Sequence, residues 1–448
     1  MLTAVSVTGN AFNALSAIAQ FQVTNADSTR LLFRTGSEAE QSTPFFRATG
    51  GTVRIPALGL RASTRYSVTV EAVGGGGTTR SEKMDVETGV LPESLRGMRL
   101  AVTGAASAGY TLVVPIYFIK SPGAMIVAFD GAGELRWYRI FPGEGRGVEA
   151  KQQLNSHFTL YAGNSSGSQS VPGRFVEITP SGDEVRSYLV SAPAYMDPHE
   201  MLLSVQDTTV TAAHLISYEI RPYDLSAVGG PVDAPVALHS IVRQGRTGAT
   251  EFIWNAADYF NPTDWVGDIS DDLVHANSLV IDRDGNYVAS FQRVDQIAKI
   301  DSRTGAMLWR FGGKRNQFTL IGDDLGGFQG QLSARVLANG NILLFDNRNR
   351  SGGGRAVEYE LNVAARTARL VWEYRPSPDI PSDIMGSVQR LTNGNTVVGF
   401  GPAGQVAEVD AARRPVWNGQ LQTDASESGR VQFYRAIRIG SLYRYVTP

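Results

Sequence analysis

Cysteine is absent from this 448-residue chain, which excludes disulfides, thiolate metal sites and a cysteine nucleophile, though it does not identify a compartment. No window approaches the ~18 uninterrupted apolar residues of a bilayer-spanning helix, so no membrane span is expected. Neither sign of charge dominates: 41 Lys and Arg stand against 43 Asp and Glu, interspersed, for a formal net charge of −2. A nucleic-acid binder normally carries a basic run or face, and none is present. The first stretch, MLTAVSVTGNAFNALSAIAQFQVT, lacks an early basic residue and a long apolar block, so no signal peptide is read in it. The expected location is cytoplasmic, or periplasmic or secreted if a signal peptide was removed. Oligomeric state is open.

Glycine, by contrast, is plentiful at 48 residues, mostly in short turns between β-type runs, and 42% of the chain is hydrophobic. That is an all-β composition with ample material for a core. The length exceeds one ordinary domain, which points to two or more domains or one large repeat domain. Residues 1–92 form one unit. FQVTNADSTRLLFRTG, TVRIPALGL and TRYSVTVEAVG alternate apolar and polar positions between Gly, Pro and Ser breaks. Strand spacing and Tyr66 at a sheet corner resemble the end of a fibronectin type III-like sandwich.

From about residue 93 a longer pattern recurs. AMIVAFDGAGELRWYRI, GRFVEITPSGDEVRSYLV, IAKIDSRTGAMLWRFGG, AVEYELNVAARTARLVWEY and QVAEVDAARRPVWNG are each two strands around a polar turn. Most are preceded by another hairpin, such as HANSLVIDRDGNYVASF or ARVLANGNILLFDN. Two hairpins make four strands, repeating roughly every 45–75 residues, which predicts a six-bladed β-propeller over residues 93–448. YRAIRIG is the expected closing strand. Residues 222–272 read as a long insertion in the third blade, of loop or short-helix type, and hence as a lid or substrate wall.

Of five histidines, His199 in MDPHEMLLS and His275 in DLVHANSLVID sit just before the first strands of successive blades. First strands line the central channel, so both imidazoles should face the axis. Leu332 in GQLSARVL holds nearly the same place in the next blade. Arg293 lies on the hairpin after His275, where alternation could bring it to the same mouth to bind an anionic oxygen. Two imidazoles beside a fixed cation suit general acid–base chemistry, although a single histidine at a strand start is usually structural. His157, His214 and His239 show no such arrangement and read as structural or surface residues. DISDDL, from Asp268, lacks the ligand spacing of a calcium loop and reads as a solvated acidic turn. GFGPAG and SGGGR are glycine-rich, yet neither opens a helix after a strand, so both are poor phosphate cradles.

HEMLL, HANSLVID, the arginine in SFQR, ARVLANGNILLFDN, GSVQRLTNGNT and YRAIRI together resemble the bacterial arylsulfate sulfotransferase family over roughly residues 95–448. The resemblance implies a six-bladed propeller with a small N-terminal β-domain. It also implies sulfuryl transfer from an aryl sulfate to a phenol with no nucleotide donor, cofactor or metal. His199 and His275 match histidines that bind the sulfuryl oxygens and assist proton transfer, and Arg293 matches the arginine clamping those oxygens. The family nucleophile is a histidine after glutamine, and here that pair reads Gln331–Leu332. Leucine has no lone pair to attack sulfur, so a covalent sulfo-enzyme cannot form at this position.

Three readings follow. The first is an acid–base catalyst of lyase, hydrolase or cyclase type acting on a small aromatic, phenolic or anionic substrate. The second is a sulfotransferase using a surviving histidine, or an inactivated variant of one. The third option is a binding or scaffold propeller. Tyr195, Asn277, Gln331, Ser387 and Tyr434 are the expected substrate contacts. Trp254, Tyr259 and Trp265 could wall the mouth or serve as packing.

Overall fold

The structure, a computed structural model, describes residues 1–448 except Thr49, 117–120, 164–172, Ser351, 425–429 and Pro448. It is all-β. Glycine turns shape its hairpins: Gly285, Gly340 and Gly394, in DGN, NGN and NGN, have φ of 80°, 89° and 89°. Those angles are strained for any residue with a Cβ.

From residue 99 onward the described strands build six sheets of four or five strands, each mainly from consecutive segments. Their middle strands Phe158–Gly163, Tyr287–Phe291, Ile342–Asp346 and Thr396–Phe400 are buried at every position. Neighbouring sheets cover both faces, so these strands read as apolar runs rather than as clean alternation. The inner strands Arg146–Gln152, Tyr195–Gln206, Ala276–Ile281, Leu332–Val336, Ser387–Arg390 and Gln432–Ile439 neighbour one another in a closed cycle. This arrangement is propeller-like. The ends of the chain close it: Gln432–Ile439 pairs with Tyr110–Ile116, and Arg99–Gly104 pairs with Pro415–Gln422.

Residues Leu2–Glu87 supply a three-stranded and a six-stranded sheet that share a core containing Phe21, Phe33, Val68 and Val70. Tyr66 accepts a hydrogen bond from the Arg61 N–H at 3.0 Å. This unit is tied to the ring by hydrogen bonds from the Ala14 N–H to Tyr138 Oη and the Leu58 N–H to Tyr443 Oη, both 2.8 Å.

The supposed insertion at 222–272 is corrected by the strand pairing. Thr209–Tyr223 pairs along its length with Ala234–Gly245, which pairs with Thr250–Asn255. Ala234–Gly245 and Thr250–Asn255 therefore form the outer strands of the third sheet. Its long strands, with Pro222 and Pro235 paired at their far end, obscure the four-strand pattern in sequence. The connection around Ser226–Val228 and the part after Asn255 are loop with 3₁₀ turns.

Candidate active site

The inner strands of three successive sheets break their ladders where the site residues lie. Strand Tyr195–Gln206 pairs at Met196 and resumes at Met201. Asp197–Glu200 therefore bulge inward, and Pro198 has no N–H to lose from the ladder. A second break lies between Ala276 and Ser278 and a third between Leu332 and Arg335. His275 and Ser333 adopt φ of 49° and 56° beside them, a left-handed conformation that is uncommon outside glycine and gathers at functional sites.

These bulges border a cavity of about 710 Å³ lined by His199, His239, His275, Asp197, Asp272, Leu332 and Tyr434, among others. The His199 and His275 rings lie 4.8 Å apart, edge to face. His199 Nδ1 is 2.8 Å from Asp197 Oδ1, and His275 Nδ1 is 2.7 Å from Asp272 Oδ2. With Nδ1–H committed to a carboxylate, Nε2 of each ring is the nitrogen available to a substrate. Backbone N–H groups aim both carboxylates: His199 donates to Asp197 Oδ1 at 2.9 Å, and His275 donates to Asp272 Oδ1 at 2.8 Å.

His239, read from sequence as structural or surface, stands between the two carboxylates. Its Nε2 is 3.2 Å from Asp197 Oδ2 and its Nδ1 is 3.3 Å from Asp272 Oδ1. The second contact is an ion pair rather than an aligned hydrogen bond. Burial alone would lower the His239 pKa, but Asp272 and Asp197 overcome it and raise the value to about 10. Burial also opposes ionisation of the two carboxylates, yet the imidazoles hold both well below the usual range. His199 shifts the other way: burial lowers its pKa despite Asp197, leaving it neutral near pH 7.

The sign of the His239 shift makes a prediction. Its folded pKa is raised, so its stabilisation is fully present below the unfolded value of about 6.5 and is lost as pH rises toward about 10. Lys151, lowered to about 7 chiefly by burial, runs in the opposite direction over that window. The quantity to measure is therefore a difference. The stability advantage of wild type over His239→Gln, from urea denaturation, should shrink steadily from about pH 6.5 to about pH 10.

Other expected site residues fall differently. Leu332 is 2% exposed and packs with Ile116, Met385 and Tyr434 on the cavity wall. The Tyr434 ring lies 5.5 Å from that of His199, and burial raises its pKa, so the phenol keeps its proton. Arg293 is not brought to the mouth. It lies in a 3₁₀ turn after Phe291, its side chain exposed, and it is Gln292 that reaches the cavity. The turn ends the strand alternation on which the expectation rested.

Asn277, Gln331 and Ser387 do not line the cavity either. Gln331 Nε2 donates to Ser290 Oγ, Phe291 O and Gln296 O, while Asn277 Nδ2 donates to Gln331 O at 2.8 Å. Ser387 Oγ bonds both backbone groups of Ala436. All three join neighbouring sheets. Tyr195 stands one ring back from the wall, stacked on Tyr218 at 5.4 Å. Trp254 and Tyr259 stack at 5.1 Å in the core between sheets, and Trp265 is buried there too. His157 and His214 are bonded elsewhere, His157 to Glu177 and His214 to Ser204 and Tyr287.

Beneath the cavity lies a buried charge cluster. Arg435 Nη1 reaches Glu200 at 2.9 Å and Glu149 at 3.2 Å, and Nη2 donates to Asn277 O at 2.7 Å. Lys151 pairs with both glutamates, and Arg335 pairs with Glu200. One sequence signal could have found Asp197 and Asp272: an aspartate stands two or three residues before each strand-start histidine, in DPH and DDLVH. Nothing local marks His239 or Arg435.

Two imidazoles, each oriented by a carboxylate, thus meet in one concave, partly apolar cavity. The family model described as arylsulfotransferase (ASST) matches residues 177–422, more than half of the chain, and the chain belongs to that family. No curated protein matches it. Similar solved structures include a protein of unknown function from Bacteroides caccae, 12% identical, covering 73% of this chain and 98% of that one, with a TM-score of 0.45. A streptogramin B lyase is 10% identical over 75% of this chain and 95% of its own, with a TM-score of 0.41. Among the described residues, no helix is long and apolar enough to cross a membrane.

Proposed function

We propose that this member of the arylsulfotransferase family acts on a small aromatic or phenolic substrate by acid–base chemistry, without a covalent sulfo-enzyme. The observation that carries this reading is the imidazole pair 4.8 Å apart, each ring held through Nδ1 by an aspartate, Asp197 buried and Asp272 partly buried, with Leu332 where the family places its nucleophile. Neutral His199 takes a proton on Nε2, and Asp197 stabilises the imidazolium so formed. His275 is the partner for the opposite proton transfer, and the Tyr434 hydroxyl is a donor for a developing oxyanion. Leu332, Ile116, Ile384 and Met385 supply an apolar wall for a ring. Among the lining residues, the carboxylates Asp197, Asp271 and Asp272 outnumber the cations, the Arg146 guanidinium and protonated His239. This balance favours an uncharged phenol over an aryl sulfate anion, and elimination, hydrolysis or cyclisation are reaction types of this kind. The same reading takes the six sheets as six propeller blades over residues 93–448, and residues 1–92, with their Tyr66 corner, as a fibronectin type III-like sandwich.

Family membership favours a second reading, sulfuryl transfer with His199 Nε2 as the nucleophile. Intact-mass measurement after incubation with a chromogenic aryl sulfate and a phenol separates the two. Wild type is expected to gain no sulfonate. Little transfer is expected from Leu332→His alone, because Arg293 does not reach the cavity. A sulfonated wild-type chain, or a sharp rise in transfer with Leu332→His, would favour the second reading.

A further inference from the structure

We propose that His239 is the positioning residue that joins Asp197 and Asp272 into one unit, and so sets the orientation of both His199 and His275 and the proton affinity of His199. This deepens the acid–base reading of the same site and rests on it. Each aspartate divides its two oxygens. Asp197 Oδ1 holds His199 and Oδ2 faces His239, while Asp272 Oδ2 holds His275 and Oδ1 faces His239. The result is one chain of groups, His199–Asp197–His239–Asp272–His275. Its members come from the first and third strands of the third sheet and from the loop that leads into the fourth. Only the central ring touches both carboxylates.

The consequence is electrostatic. A buried aspartate paired with a single imidazole places its whole charge on that ring and makes it strongly basic. Here each aspartate is shared with a ring that is 4% exposed and faced by both. The outer imidazoles therefore keep their orientation while receiving only part of the charge, and His199, already lowered by burial, stays free to accept a proton in the reaction. The remaining groups around His239 cannot replace this contribution. Tyr218 lies tilted beside it at 5.6 Å and His275 stands edge-on at 6.2 Å, and neither is a fixed cation. Because backbone N–H groups also hold both carboxylates, removing His239 changes their charge environment more than their position.

The chain has five histidines, so nitrogen-15 histidine NMR on the full protein can test this, with single variants for assignment. In wild type, the ring missing from His239→Gln is expected to carry both protons from about pH 6 to about pH 9. In His239→Gln, the His199 titration should move up by on the order of one pH unit, with the Nδ1–H form of both outer rings retained. A neutral His239 at pH 7 would overturn the proposal, and that measurement needs no variant to fold. An unmoved His199 titration in folded His239→Gln and His239→Leu would overturn it equally. Because the rings are read without turnover, this outcome is separate from the failure of every aromatic substrate to react, which would count against the acid–base reading instead.

Discussion

Arg435→Leu is expected to lose about 3–5 kcal/mol of folding stability, as breaking a buried ion pair does when its partners stay behind. Arg435 is 3% exposed, and Glu149 and Glu200 are fully buried. The guanidinium sits on the closing C-terminal strand, and its partners belong to the second, third and fourth sheets. Leucine would leave Glu149 with Lys151, and Glu200 with Lys151 and Arg335, all crowded at the channel axis. It would also remove the donor to Asn277 O. Urea denaturation with an unchanged m-value is the measurement. A loss below about 1 kcal/mol, the size of an exposed ion pair, would show that the cluster is solvated and not structural. Arg335→Leu is the control: Arg335 is only partly buried and holds one carboxylate, so its loss should be smaller.

The second large effect concerns turnover. On whichever aromatic substrate wild type converts, His199→Asn and His275→Asn should each lower kcat by roughly 10²–10⁴, the range of general acid–base catalysis. The double variant should be little worse than the poorer single one, because groups acting as a unit are not additive. Asparagine can keep a hydrogen bond to the aspartate but cannot carry a proton. Circular dichroism should show both variants folded. Arg293→Ala should leave kcat unchanged, since its side chain is exposed and outside the cavity. A large loss there would restore the role that the family resemblance implies and argue against the geometry described above.

Much of the architecture was legible along the chain. Alternating runs, glycine turns and the four-strand recurrence led to an all-β chain of hairpins, because such signals are local and need only a few neighbouring residues. His199, His275 and Leu332 were legible as a set because they stand at equivalent starts of successive inner strands, and all three line one cavity. Arg293 misled because alternation stops at a 3₁₀ turn. The stretch after residue 222 misled because two long strands with prolines at their ends resemble a loop.

What the amino-acid order determined by itself is the inventory: two histidines each preceded by an aspartate, a leucine incapable of nucleophilic attack, no thiol, and strands that must pair as hairpins. What only the tertiary structure decided is which charges meet. His239 lies on a third strand, Asp272 in a loop and Arg435 near the C-terminus, and no local period relates them. They converge because a closed ring brings distant strands to one axis. Burial there, a property of the assembled fold rather than of any residue, strengthens each charge on its neighbours and so sets which groups hold protons.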